Sequence, residues 1–269
     1  MKGKLERDGA VIVYETRGAG PAIILAHNIL CDRRVFDEVI GLLGDAYRTI
    51  SVDLRGQGES SVPARAYSVS DLAGDLAAVL DAEKIDKAVV VGLSLGATTA
   101  LELTLSRPER VAALVLMGAT AREDDFLTSV RNAFLSPLVR AFGVRGPILQ
   151  KAVTSLFGAS YRAEGSPDFA EWTRRINELP SRSAYFSLRA WRLRGRFLER
   201  LGQVRAPTLI VAGEEDVACT VPEARELQRG IRGSALALIP RAGHTMSAER
   251  PQAVAAALRS FIDPLLLQP

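Results

Sequence analysis

The sequence predicts an α/β fold, a largely parallel sheet with helices on both faces. Three observations carry that expectation. Short apolar runs, among them Ala22-Ile23-Ile24-Leu25-Ala26 and Ala112–Met117, alternate with helical patterns at the spacing of βαβ units. The buried-strand run Ala88-Val89-Val90-Val91 passes directly into Gly92-Leu93-Ser94-Leu95-Gly96, and small residues at helical spacing follow. From about residue 121 to residue 201 no strand-like run occurs, and the strand rhythm then resumes.

In chain order, Lys4–Glu6 and Val11–Glu15 flank the hairpin signal Arg7-Asp8-Gly9. Residues 22–26 are wholly apolar, as a strand covered on both faces requires. His27-Asn28-Ile29-Leu30-Cys31-Asp32 leaves that strand as a loop. A helix from about 35 to 43 places Phe36, Val39, Ile40 and Leu43 on one face. Arg48–Val52 is a strand, and the glycine-punctuated stretch Asp53–Ser60 is its loop. Ser68 and Asp71 form a Ser-x-x-acid capping pair for a helix that buries Leu72, Leu76, Val79 and Leu80. The helix after Ser94 stops near Arg107, because the residue before Pro108 avoids the α region.

Between 121 and 201 the patterns are helical, at Phe126–Phe142, Ile148–Phe157, Phe169–Leu179 and Tyr185–Leu198, broken by prolines and glycines. This stretch is expected to be a helical lid inserted into a core of residues 1–120 and 202–269. Thr208–Ala212 and Ala235–Ile239 continue the sheet, with a helix over Val221–Arg229 between them and a closing helix over Met246–Ile262.

The chemistry concentrates at strand ends. A sharp strand-to-helix turn holds the hydroxyl of Ser94 clear of the sheet, and Gly92 and Gly96 remove the Cβ atoms that would clash there. The N–H of Leu95 opens the helix beside that hydroxyl. A serine needs a base, and the base needs an orienting acid. Of the two histidines, His244 follows the last apolar strand, at the sheet edge where open α/β folds bind ligands. Thr208–Ala212 runs into Gly213-Glu214-Glu215-Asp216, which makes Asp216 the orienting acid. Asp124 is the reserve candidate, and Glu214 and Glu215 are expected to be solvated.

Composition narrows the class. The 269 residues are 48% hydrophobic and 24% charged, ordinary for a globular protein with a large core. A net charge of +3 gives nucleic-acid binding little support. No run of about eighteen apolar residues suggests a membrane span, and residues 1–7 have no apolar stretch to serve as a signal peptide. Two cysteines, Cys31 and Cys219, make no disulfide framework and fit a cytoplasmic setting. Two histidines and no Cys-x-x-Cys leave neither metal nor cofactor indicated. A small-molecule substrate is the expected partner, for a monomer or a homodimer.

Several motifs in order carry a family resemblance. They are the Asp8-Gly9 hairpin, Asp53-x-Arg55-Gly56-x-Gly58-x-Ser60, Gly92-x-Ser94-x-Gly96, Gly213-x-x-Asp216, and Gly243-His244 followed by Glu249-x-Pro251. With them the chain resembles the α/β-hydrolase superfamily over nearly its whole length, and is most similar to small, capped, cofactor-free esterases, lactonases and haloperoxidase-like members. The resemblance implies eight strands, of which the second is antiparallel, and a lid after the sixth. It implies a Ser94, Asp216, His244 triad with Leu95 and Ile29 as backbone oxyanion donors. His27, Asn28 and Leu30 stand nearby as substrate-pocket candidates. The family usually has glycine where Asn28 stands, which predicts a positive φ there. His27 reads as a structural hydrogen-bonder, Asp53 and Arg55 as loop-stabilising, and the two cysteines as small apolar fillers. Arg182, Arg189, Arg192, Arg194 and Arg196 read as a solvated face, with an anionic substrate as the alternative. Ester or lactone hydrolysis leads. Carbon–carbon bond hydrolysis, lyase chemistry and a slow-turnover receptor on the same frame stay open.

Overall fold

Alternation along each strand sends neighbouring side chains to opposite faces, and the protein has two apolar cores accordingly. The computed structural model describes residues 1–123 and 136–266. Eight strands form one sheet: β1 (Lys2–Arg7), β2 (Ala10–Arg17), β3 (Ala22–Ala26), β4 (Arg48–Val52), β5 (Ala88–Leu93), β6 (Val111–Met117), β7 (Thr208–Gly213) and β8 (Ala235–Ile239). Their spatial order is β1-β2-β4-β3-β5-β6-β7-β8. β2 runs antiparallel to both of its neighbours, and every other pairing is parallel.

The helices are α1 (Asp37–Leu43), α2 (Val69–Ala82), α3 (Leu95–Ser106), α4 (136–142), α5 (Gly146–Leu156), α6 (Ala159–Glu164), α7 (Pro167–Glu178), α8 (Ser181–Arg192), α9 (Val221–Gly230), α10 (Met246–Glu249) and α11 (Pro251–Leu266). On one face Ile24, Val90, Leu114 and Ile210 pack with Leu72 and Leu76 of α2, Leu101 of α3 and Leu227 of α9. On the other, Ile23, Leu25, Val89, Val91 and Val115 pack with Val39 and Leu43 of α1 and Leu258 and Ile262 of α11. The predicted capping pair forms: Ser68 Oγ accepts from the Asp71 N–H at 3.1 Å, and the Asp71 carboxylate accepts from the Ser68 N–H at 2.8 Å. Such a cap contributes about 1 kcal/mol.

Between β6 and β7 the described residues hold helices and no strand, α4 to α8. Of the helix expected over Phe126–Phe142 only 136–142 lies within the described residues, and two other boundaries change the reading most. The helix expected to run to Leu198 ends at Arg192, and Gly195 follows with a φ of 87°. The single closing helix is two, α10 and α11, broken at Arg250 because Pro251 opens a new first turn. The inserted helices join both cores: Val139, Leu156, Trp172 and Ile176 enter one, and Phe186 and Ala190 the other. Residues of α4, α5 and α8 share one cavity with residues that follow β3, β5, β7 and β8. Among the described residues no helix is long and apolar enough to cross a membrane.

Candidate active site

Ser94 sits between β5 and α3 with φ 56° and ψ −111°, backbone that a side chain rarely adopts. Close packing holds it there. Its N–H donates to the Met117 carbonyl at 2.9 Å. A Cβ on Gly96 would stand 2.0 Å from the Ala26 carbonyl oxygen, so only glycine lets α3 start this close to β3. Ser94 Oγ is thereby presented to a cavity of about 460 Å³ that His244 also lines.

His244 and Asp216 come from the ends of β8 and β7. His244 Nδ1 and Asp216 Oδ2 are 2.8 Å apart. Asp216 Oδ1 accepts from the N–H groups of Ala218 and Cys219, both at 2.8 Å. A carboxylate oxygen accepts, so the contact places the proton of His244 on Nδ1 and leaves Nε2 without one. Burial alone would lower the pKa of His244. The charge and hydrogen bond of Asp216 outweigh it, and the net direction is upward. Gly118 closes the site from below, where a Cβ would stand 3.1 Å from Nδ1 of His244.

The β3 loop corrects one expectation. The residue with positive φ is Leu30, at 63°, and not Asn28. The Leu30 N–H donates to Gln57 Oε1 at 2.8 Å, which holds the turn. Asn28 is buried, and its Nδ2 donates to Thr245 Oγ1 at 3.1 Å. It therefore ties this loop to the residue after His244. His27 accepts from the Leu54 N–H through Nε2 at 3.0 Å, which puts its proton on Nδ1, 2.7 Å from the Asn28 carbonyl. Burial pushes its pKa down, so it stays neutral. Ile29 and Leu30 line the cavity, and the buried His27 and Asn28 are not among its lining residues. Leu95 is the first residue of α3, where the helix supplies no acceptor for its N–H.

Glu215 is not solvated as expected. Its carboxylate accepts from the Ser160 N–H at 2.8 Å and from the Ser160 hydroxyl, joining the Asp216 loop to α6. Glu249 is the larger omission. Buried and facing back from α10, it accepts from the N–H groups of Gly243 at 2.7 Å, Thr245 at 3.0 Å and Gly158 at 3.0 Å. It grips the backbone on both sides of His244 and fastens it to the inserted helices. Its place in Glu249-x-Pro251 was the available signal, but spacing alone gave it no partner. Asp53 and Arg55 are buried in ion pairs with Arg33 and Asp75. Cys31 is a buried filler, whereas Cys219 lines the cavity. Asp124 lies outside the described residues. Among the described residues no group of three or more His, Cys, Asp or Glu side chains could hold a metal ion.

Known proteins of similar sequence and structure fix the family. A family model described as the alpha/beta hydrolase fold matches residues 21–251. The chain is 28% identical over 255 residues to 3-oxoadipate enol-lactonase 2 of Acinetobacter baylyi, covering 94% of this chain and 93% of the relative. It is 25% identical over 257 residues to 2-(acetamidomethylene)succinate hydrolase of Mesorhizobium japonicum, covering 92% and 90%. Among solved structures it superposes on a malate-bound thermophilic esterase from Thermogutta terrifontis, with a TM-score of 0.92, 25% identity and 99% of both chains covered.

Proposed function

The chain belongs to the α/β-hydrolase fold family of enzymes, and from that premise we propose a serine hydrolase that cleaves a carboxylic ester or lactone of a small molecule. One observation carries the reading. Ser94, strained and buried at the β5–α3 turn, shares an apolar cavity with His244, whose other nitrogen rests on Asp216 at 2.8 Å.

In this reading Ser94 Oγ attacks the carbonyl carbon and gives its proton to Nε2 of His244. Asp216 keeps the imidazole in the required tautomer and stabilises the imidazolium. The N–H groups of Leu95 and Ile29 bind the tetrahedral oxyanion. On collapse the imidazolium returns the proton to the departing alkoxide, which leaves as the alcohol. Water then adds to the acyl-enzyme by the same route and releases the acid. In a lactone, alcohol and acid remain one molecule.

The test is steady-state turnover of short esters, lactones and a vinylogous diketone by the purified protein. Esters or lactones are expected to be hydrolysed with multiple turnovers. Turnover of the diketone alone would move the reading to carbon–carbon hydrolysis. Binding without turnover would move it to a receptor.

A further inference from the structure

The cavity over Ser94 is roofed by three inserted helices. Val139 of α4, Ile148 and Leu156 of α5, and Leu188 and Trp191 of α8 give it apolar walls, joined by Val144. Into this lining come two cations, Lys151 of α5 and Arg192 of α8, and, among the described residues, no carboxylate other than those behind His244. Elsewhere in the protein arginines meet acids: Arg33 with Asp53, Arg55 with Asp75, Arg174 with Glu171, Arg250 with Glu164. Here they do not. Among the described residues Lys151 has no ion-pair partner, and Arg192 meets a neutral group, donating from Nη1 to Ser136 Oγ at 3.0 Å.

Depth orders these groups. Ser94 and His244 are buried, Arg192 is half-buried and Lys151 is exposed. The cations therefore lie toward solvent, with the apolar lining and the reacting groups beneath. Ser136 and Arg192 also form one wall of an outer recess, whose other described residues include Arg140, Arg189 and Tyr185 and again no acid. A chain of positive charge thus leads from the surface to the rim of an apolar cavity, an arrangement that attracts anions and concentrates them at one entrance.

We infer that the substrate is an amphiphilic anion: an ester or lactone with an apolar portion in the cavity and a carboxylate at the rim, against Lys151 and Arg192. This rests on the hydrolase reading above. Without the two cations a carboxylate would lose its hydration against hydrocarbon and be rejected. With them, a methyl-terminated analogue forfeits an ion pair that the carboxylate makes, and Arg192 offers a planar fork matched to two carboxylate oxygens. Of the five arginines that the sequence left open, Arg192 alone lines this cavity. Arg182 lies over the ring of Phe186, Arg194 over that of Trp191, and Arg196 pairs with Glu123.

Three esters of equal length test it: pentyl hexanoate, pentyl hydrogen adipate and 4-carboxybutyl hexanoate. The first is neutral, and the others carry the carboxylate on the acyl and the alcohol side. At low ionic strength one carboxylate ester should exceed the neutral ester in kcat/KM by about tenfold, and salt should narrow the gap. In Lys151→Met and Arg192→Met the carboxylate-to-neutral ratio should fall toward one, while Lys151→Arg keeps it. Labelling of each variant by a fluorophosphonate at Ser94 certifies its fold. Preference for the neutral ester, or a ratio unmoved in labelled variants, overturns the inference and leaves the hydrolase standing. No turnover of any ester together with no labelling at Ser94 overturns both.

Discussion

Asp216 divides its work between two oxygens, one taken by backbone N–H groups and one by His244. The division has a consequence for pH. A base must be neutral to act, and the pKa of His244 is raised above its ordinary 6.5 once the charge of Asp216 outweighs burial. The pH profile of kcat/KM on a short ester should therefore rise through a midpoint above 6.5. In Asp216→Asn the charge is gone while burial remains, so the midpoint should move down. The rate should also fall, on the order of 10⁴-fold, because the amide favours the wrong tautomer. A profile that keeps its midpoint in the variant would take the orienting role from Asp216. The neighbouring Asn28 shows the limit of reading by analogy with glycine. Its backbone needs no left-handed conformation, and its side-chain Nδ2 donates to Thr245.

Among the elements, the joint between the inserted helices and the β8 loop is held by one carboxylate. Glu249 takes three backbone donors, from Gly158 before α6 and from Gly243 and Thr245 around His244. A glutamine there keeps one acceptor and turns an NH2 group toward N–H donors. Glu249→Gln should cost about 1–3 kcal/mol in stability and lower kcat through His244 more than it changes KM. Burial pushes the carboxyl of Glu249 up to about 6 despite those donors. A pKa raised by folding means that the folded state holds the proton more tightly. The contribution of Glu249 to stability is then fullest below about 4.5 and is lost as pH rises through about 6. His244, also raised, acts in the same direction, its contribution present below 6.5 and lost above its folded pKa. Glu249 should by itself lower the wild-type unfolding free energy by on the order of 2 kcal/mol between pH 4.5 and 7. In Glu249→Gln that part of the slope should vanish. Denaturant melts at several pH values would decide, and an unchanged slope would show that Glu249 titrates as it does unfolded.

Across the whole molecule, sequence and fold agree wherever one local pattern dictates the outcome. The apolar runs at 22–26, 88–91 and 112–117 are strands because no other element buries such short segments on both faces. The Ser68–Asp71 pair and the Gly-x-Ser-x-Gly turn are legible because their partners lie a few residues away. What stayed hidden joins distant parts of the chain. Glu215 meets Ser160, Glu249 meets Gly158, Asn28 meets Thr245, and Gln57 holds Leu30. No periodicity encodes such pairs, because each joins segments far apart in the chain that only the folded sheet and its inserted helices bring together. Arg192 was legible only as one arginine among five, until α8 turned it to the cavity. The β-strand ends, the inserted helices and the cavity serve a single claim, that Ser94 is the nucleophile. Intact-protein and peptide mass spectrometry after treatment with a fluorophosphonate tests it most directly. The account predicts one covalent adduct per chain, located on Ser94 and absent from Ser94→Ala, which should also lose ester turnover. An adduct on another residue, or full turnover in Ser94→Ala, would contradict it.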